Sequence, residues 1–257
     1  MYKGVAVWNY PGDNLENAKE FARRGFTAVS WLGADFCKMT QEQDEALVEF
    51  LRANKLVFSV HSRLPDPDSK EACDDFRKEI ERCAAWQQKY SCLNGYTFDF
   101  WFDHNASMPY LGFALETLRG SGAFIACEDT PLNDRLVNDF LKLTKPQDDY
   151  GILMDLGHMN IRQHNMELFE YEDFVSSFKN LPLPVKEVHL HNNMGRKDEH
   201  MHINYGNLKL DACVAGLKKK GFDGIVTVEV VQRDWPREQG FIYAEQTRDA
   251  FFAEWNK

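Results

Sequence analysis

The sequence predicts an α/β fold, a (β/α)8 TIM barrel that forms a single domain over residues 1–257. Short apolar runs alternate with amphipathic segments eight times, in units of roughly 30 residues, which is typical of parallel strands joined by helical crossovers. The chain length is close to the roughly 250 residues of this fold. The alternative is an open doubly wound sheet, but no G-x-G-x-x-G sequence follows the first strand. The count of eight and the length therefore favour a closed barrel.

The first half of the chain contains four predicted strands, each followed by a helix. The strands are predicted over residues 4–8, 27–31, 55–60 and 93–102. The helices are predicted over residues 15–24, 40–53, 69–90 and 108–119. Gly25 is the C-cap signal of the first helix, and Thr40 is an N-cap followed by acidic residues in the first turn.

The second half repeats the pattern. Its strands are predicted over residues 123–127, 150–154, 185–190 and 224–231. Its helices are predicted over residues 134–143, 168–179, 208–220 and 237–255. Gly221 ends the helix that precedes the last strand. The sequence shows no linker or low-complexity stretch that would divide the chain into domains.

The charge and composition of the chain limit the kinds of partner that it can bind. The formal net charge is −10 and the sequence pI is about 5.3, so the surface repels phosphate backbones and nucleic acid is a disfavoured partner. The six cysteines form no C-x-x-C pair, and no segment approaches 18 apolar residues. We therefore predict a soluble cytoplasmic protein with reduced thiols and no membrane contact. Formation of a homo-oligomer is compatible with the sequence.

The ends of the predicted strands carry the chemistry. Active sites of this fold lie at the carboxyl ends of the strands, and six of the eight ends carry a titratable side chain: His61, Asp99, Glu128, Asp155, His189 and Glu229. Glu229 lies inside the apolar run TVEVV. A charge inside a buried parallel strand is costly unless it is paired or bound to a cation.

Four of these residues end the consecutive strands five to eight, namely Glu128, Asp155, His189 and Glu229. Three carboxylates and one imidazole form an oxygen-rich ligand set with a net charge of −3, which predicts a divalent metal: Mn²⁺, Mg²⁺, Co²⁺ or Zn²⁺. His189 is preferred over His191 as the ligand because His189 lies within the apolar strand, whereas His191 lies one step further out. His191 is predicted to be a neighbour of the site or to face the substrate.

Further ligand-type residues follow the sixth and seventh strands. His158 comes directly after the sixth strand in the run MDLGH, and we expect it on a loop. The spacing Asp198-x-His200 lets one short loop present an oxygen and an imidazole together. His61 closes the third strand. Each of these residues alone also fits an ordinary polar loop.

These residues resemble the xylose-isomerase-like barrels, the superfamily of sugar isomerases and epimerases and of endonuclease IV. The resemblance rests on His61, Glu128, Asp155-Leu-Gly-His158, His189-Leu-His-Asn, Asp198-Glu-His200, Gly206 and Glu229. It implies that Glu128, Asp155, His189 and Glu229 ligate a divalent metal. It also implies that His158, Asp198 and His200 bind either additional zinc, as in the endonuclease branch, or substrate, as His158 does in the epimerase branch.

The sequence departs from the endonuclease branch at two positions. That branch carries a further His on the strand after the His61 position, where this sequence reads YTFDFWFD. Asn204 stands where the family usually has Gly after the Asp-x-His pair. The first departure argues against a trinuclear site.

The sequence therefore predicts a metal-dependent isomerase or epimerase of a sugar, keto-sugar or polyol derivative. Glu128 and Glu229 would exchange the proton next to the substrate carbonyl through an enediolate. The first alternative is a phosphodiester hydrolase of the endonuclease IV type, which His61 and the Asp198-x-His200 pair favour and which the acidic charge and the missing His oppose. A lyase or dehydratase that uses the same enediolate chemistry is the second, and a non-enzymatic sugar-binding barrel is the third.

Overall fold

The computed structural model describes residues 1–99, 104–128, 142–145, 149–165, 183–231 and 233–257, with the backbone alone at 104–107 and 165. Every predicted strand has a counterpart in the structure. The strands are β1 Tyr2–Val5, β2 Ala28–Leu32, β3 Val57–Arg63, β4 Gly95–Asp99, β5 Phe124–Glu128, β6 Tyr150–Asp155, β7 Val185–Leu190 and β8 Ile225–Val228. Their residues are almost all buried, since each strand has helices on one side and the sheet interior on the other.

The helices alternate with these strands. They are a 3-10 turn Val7–Asn9, α1 Asn14–Arg23, α2 Gly33–Phe36, α3 Gln41–Asn54, α4 Lys70–Tyr90, α5 His104–Leu118, α6 Leu156–Asn165, α7 Leu210–Lys220 and α8 Arg237–Trp255. The predicted helix over 168–179 lies outside the described residues, and that over 134–143 lies largely outside them. None of the helices in the described part of the chain combines the length and apolar character that a membrane crossing needs.

Local sequence signals explain where several helices begin and end. Thr40 and Gln43 form a reciprocal capping box at the start of α3, as the sequence predicts for Thr40. The side chains of Asp13 and Ser69 accept backbone hydrogen bonds at the starts of α1 and α4. Gly221 ends α7 in the left-handed conformation, with φ of 72°, which costs glycine little because it has no Cβ.

Helix α6 is a correction to the sequence prediction, which placed His158 on a loop. The chain instead turns into a helix directly after β6. The Asp155 carboxylate makes this possible because its Oδ1 accepts a hydrogen bond from the His158 backbone N–H at 2.7 Å. Asp155 is therefore both a strand end and a helix N-cap, and it holds His158 in the first helical turn.

The chain divides into two compact units, residues 1–29 with 153–257 and residues 30–152. In the first unit the strand order is β1-β8-β7-β6, and the core includes Tyr10, Phe21 and Phe241 in mutual ring contact. In the second unit the order is β5-β4-β3-β2, and Phe58 packs against Trp31, Phe36 and Trp86. Described pairs of strands such as β7–β8 and β3–β4 are parallel, so within each unit the carboxyl ends lie at one edge of the sheet.

Candidate metal centre

The first unit brings Asp155, His189 and Glu229 together at the carboxyl ends of β6, β7 and β8. His189 lies opposite Thr227 in the β7–β8 register, and the Glu229 backbone N–H donates to the Leu190 carbonyl at 3.1 Å. Glu229 comes directly after β8 and not inside it as predicted, because β8 ends at Val228. Its side chain is nonetheless buried, so the inference that it is a buried charge holds.

The donor atoms of these three residues all lie within 4.8 Å of one another, and the two pairs that include His189 are close enough to share one cation. His189 Nδ1 lies 3.1 Å from Glu229 Oε2 and 3.8 Å from Asp155 Oδ2. Ligands about 2.1 Å from a common ion cannot lie more than about 4.2 Å apart, and both distances satisfy this limit. Asp155 and His189 are fully buried, and Glu229 is 5% exposed. Two carboxylates and one imidazole in such a place fit a divalent metal.

Charge compensation inside this cluster is strong. Burial by itself would lower the pKa of His189, but the carboxylates of Glu229, Glu187 and Asp155 raise it to about 9. Burial would likewise raise the pKa of Asp155, but the imidazoles of His158, His191 and His189 hold it well below its usual value. The Asp155 carboxylate therefore stays ionised at neutral pH, which is the form that binds cations.

A second cluster in the same unit consists of His158, Asp198 and His200. Asp198 Oδ2 lies 3.2 Å from His158 Nε2 and 2.9 Å from His200 Nε2. These imidazoles lower the pKa of Asp198 despite its partial burial. Asp198 and Glu229 raise the pKa of His200 to about 9, against the effect of burial. His200 has a φ of 46°, a left-handed conformation that turns its ring toward Asp198 and toward the Glu229 carbonyl, 2.9 Å from Nδ1.

His191 connects the two clusters. Its Nε2 lies 3.1 Å from the Asp155 carboxylate and 3.6 Å from Asp198 Oδ1, and its ring stacks on His200 with centroids 4.0 Å apart. Gly157 makes room for it, since a Cβ there would lie 1.9 Å from His191 Cε1. The sequence predicts His191 as a neighbour of the site, on the same face of the strand as His189, and the structure places it beside Asp155.

The second unit contains a third polar cluster of His61, Asp99 and Glu128. His61 Nε2 lies 3.2 Å from Asp99 Oδ1 and 3.4 Å from Glu128 Oε2. Its Nδ1 lies 2.8 Å from Thr97 Oγ1, its partner in the β3–β4 register. His61 is inside β3 and not after it, because the strand continues to Arg63. Asp99, the last residue of β4, is buried beside His61.

The structure thus places the predicted site residues in two groups. Within the first unit it brings together Asp155, His189 and Glu229, and next to them His158, Asp198 and His200. Within the second unit it places Glu128 beside His61. That Glu128 completes the ligand set of Asp155, His189 and Glu229 stays a prediction.

Parallel strands that alternate with helices, and that end in carboxylates and imidazoles, define a barrel of the kind that carries polar sites at its mouth. The chain belongs to the xylose isomerase-like TIM barrel family, whose model matches residues 18–248. The predicted (β/α)8 barrel and the resemblance that the sequence motifs indicate are both confirmed.

Individual relatives are distant. An uncharacterized protein of Methanocaldococcus jannaschii is 34% identical over 79 residues, which is 31% of this chain and 25% of that protein. A solved L-ribulose 3-epimerase superposes with a TM-score of 0.74 at 13% identity, over 100% of this chain and 95% of that one. The IOLI protein, solved with a bound zinc atom, gives a TM-score of 0.73 at 13% identity over 99% of each chain. At such identities the structural likeness shows the fold.

Proposed function

We propose that this protein is a divalent-metal-dependent isomerase or epimerase of a sugar, keto-sugar or polyol derivative. The observation that carries the proposal is the buried trio Asp155, His189 and Glu229, whose donor atoms all lie within 4.8 Å of one another. An isolated buried carboxylate is costly, and two beside one imidazole are explained by a cation. The family and the sugar epimerases of the same fold support this reading.

Asp155, His189 and Glu229 would hold the metal, with Glu128 as the fourth ligand. A divalent cation bound there supplies Lewis acidity toward a substrate carbonyl and its neighbouring hydroxyl. Mixed oxygen and nitrogen donors suit Mn²⁺, Co²⁺ or Zn²⁺, and Mg²⁺ accepts the oxygens. The zinc atom in the IOLI structure, a protein of the same fold, supports the proposal that this protein binds a metal.

Glu128 and Glu229 would carry the proton. One glutamate removes the hydrogen next to the carbonyl and the other returns a proton to the opposite face or to the adjacent carbon, through an enediolate. Burial of both carboxylates excludes bulk water and raises the strength of their interactions with substrate. His61, 3.4 Å from Glu128 Oε2, is placed to orient that carboxylate or to contact a substrate hydroxyl.

The cluster of His158, Asp198 and His200 would bind a substrate oxygen or a second cation. This cluster is also the observation that favours the second candidate, a phosphodiester hydrolase of the endonuclease IV type, because a mixed His and Asp set suits zinc. The net charge of −10 favours a small sugar-like substrate over nucleic acid. A lyase or dehydratase would use the same residues for enediolate chemistry.

The test is metal analysis of the purified protein, combined with a panel of keto-sugars incubated in D₂O. We expect one or two equivalents of a divalent metal and incorporation of deuterium next to the carbonyl of at least one sugar. Chelator-treated protein is the control and should exchange no hydrogen until metal is restored. Exchange that is equally fast with and without chelator would refute the proposal, as would cleavage of an abasic-site duplex without sugar exchange.

A further inference from the structure

A buried carboxylate that the proposed mechanism leaves unused lies directly below the metal centre. Glu187 is in β7, two residues before His189, so both side chains point to the same face of the strand. Glu187 is 0% exposed. Full burial of a carboxylate carries a large desolvation cost, and the contacts of Glu187 indicate what compensates for it.

Glu187 contacts β8 and His189 with the same oxygen. Thr227 Oγ1 donates a hydrogen bond to Glu187 Oε1 at 2.5 Å. The same Oε1 lies 3.8 Å from His189 Nε2. Thr227 is the register partner of His189 on β8, so the hydroxyl holds the carboxylate at the level of the imidazole. The three side chains form a buried row across β7 and β8.

The two ring nitrogens of His189 face different carboxylates. Nδ1 faces Glu229 and Asp155, the proposed metal ligands. Nε2 faces Glu187. An imidazole that ligates a metal through one nitrogen carries its proton on the other, and a carboxylate accepts that proton as a hydrogen bond, which fixes the tautomer and the ring orientation.

We propose that Glu187, held by Thr227, is a positioning residue that keeps the proton of His189 on Nε2 and so presents Nδ1 to the metal. This inference rests on the proposed metal centre. Glu187 itself lies on the far side of the ring from Asp155 and Glu229, so it acts through His189. Loss of such a partner typically weakens metal affinity by about 10- to 100-fold.

Two variants of Glu187 separate the charge of its carboxylate from its acceptor oxygen. Glu187→Gln keeps an acceptor oxygen in a side chain of the same shape, and Glu187→Leu removes the acceptor. Thr227→Val removes the hydroxyl that holds the carboxylate. Asp44→Asn is the matched control, because Asp44 is also a buried carboxylate but pairs with Arg82 on a helix of the second unit.

The dissociation constant for Zn²⁺ is measured by competition with a chelator, and the His189 tautomer is read by ¹⁵N NMR of zinc-loaded, histidine-labelled protein. We expect Glu187→Leu to bind Zn²⁺ about 10- to 100-fold more weakly and to lose the Nε2–H signature, whereas Glu187→Gln keeps that signature with a smaller loss of affinity. Thr227→Val should resemble Glu187→Gln, and Asp44→Asn should match the wild type.

The outcomes distinguish this inference from the proposal on which it rests. Wild-type protein that binds no divalent cation overturns the proposed function. Wild-type protein that binds Zn²⁺, with Glu187→Gln and Glu187→Leu both at the wild-type affinity and tautomer, overturns the inference alone. Should Glu187→Leu fail to fold, the Gln and Val variants, which conserve shape, still decide it. Equal losses in all variants including Asp44→Asn would reduce the effect to general destabilisation and also overturn the inference.

Discussion

The two compact units differ in how many imidazoles lie beside the carboxylates at their strand ends. The first unit sets four imidazoles, those of His158, His189, His191 and His200, among its carboxylates. Among the side chains that the structure describes, the second unit sets one imidazole, that of His61, beside Asp99 and Glu128, and the exposed Arg63 guanidinium lies 3.4 Å from Asp99. Mixed nitrogen and oxygen donors suit zinc and neighbouring transition metals. If the proposed function holds, we expect substitutions in the first unit to change metal affinity more than substitutions in the second unit do.

The largest expected effect concerns the glutamate that each unit contributes. Glu128→Gln in the second unit and Glu229→Gln in the first should each slow deuterium exchange by about 10² to 10⁴, since each removes a proposed acid or base. Exchange is measured with the metal held at saturation, so that loss of a ligand is not mistaken for loss of a base.

The metal content of each glutamate variant is measured alongside. If either variant retains its metal and still exchanges the substrate hydrogen at the wild-type rate, that glutamate is not the base. His158 is then the next residue to test, because it lies in the first turn of α6 beside Asp155.

The second effect compares a histidine from each unit. His189→Ala should weaken metal binding by about 100-fold or more, since it removes a nitrogen ligand and leaves Glu187, Asp155 and Glu229 without their shared imidazole. His61→Ala should leave the affinity within a few-fold and lower the efficiency of turnover. Titration of both apo proteins with Co²⁺, followed by its visible spectrum, makes the comparison. Equal losses of affinity in the two variants would contradict this expectation.

The sequence predicts most of the strands and helices and several residues of the candidate site, but it does not predict every contact among them. The sequence predicts β7 at 185–190 and α8 at 237–255 to the residue, because the alternation of strand and helix segments is a local feature of the sequence. Asp155, His189 and Glu229 are found because active sites of this fold lie at the carboxyl ends of the strands. The sequence does not predict the helical turn after β6. Asp155 is interpreted there only as a site residue, although its side chain also caps this helix. The place of His191 depends on Gly157, a contact 34 residues away that no local pattern records.

The third effect is a pH dependence confined to the first unit. The pKa of His189 and that of His200 are raised from 6.5 to about 9 in the folded protein by the carboxylates around them, against the effect of burial. A raised pKa in the folded state contributes stability that is fully present below about pH 6.5 and is lost as the pH rises through about 9. Metal-free protein should therefore unfold at lower urea concentration at pH 9 than at pH 6.5.

The control for this dependence is the double variant His189→Ala, His200→Ala, which should show a flatter profile over the same window. Added Zn²⁺ should restore stability at the upper end, because the imidazoles then act as neutral ligands. A wild-type profile as flat as that of the double variant would contradict the assigned charge pairs.

The smallest effect is a test of packing by the same substitution in a helix of each unit. Gly112→Ala in α5 meets only Leu143 Cδ1 at 3.9 Å, and alanine is about 0.5–1 kcal/mol better than glycine in a helix, so this variant should be slightly stabilised. Gly157→Ala in α6 would place its Cβ 1.9 Å from His191 Cε1. His191 is 0% exposed and lies between Asp155 and His200, so it cannot move without displacing charged partners. Overpacking of this kind costs about 1–3 kcal/mol. The free energy of unfolding, measured in urea, should therefore rise in the Gly112 variant and fall in the Gly157 variant. The Gly157 variant should also bind metal more weakly. If both variants are stabilised alike, the His191 ring does not lie against Gly157, and the junction of the two clusters is built differently from the arrangement described above.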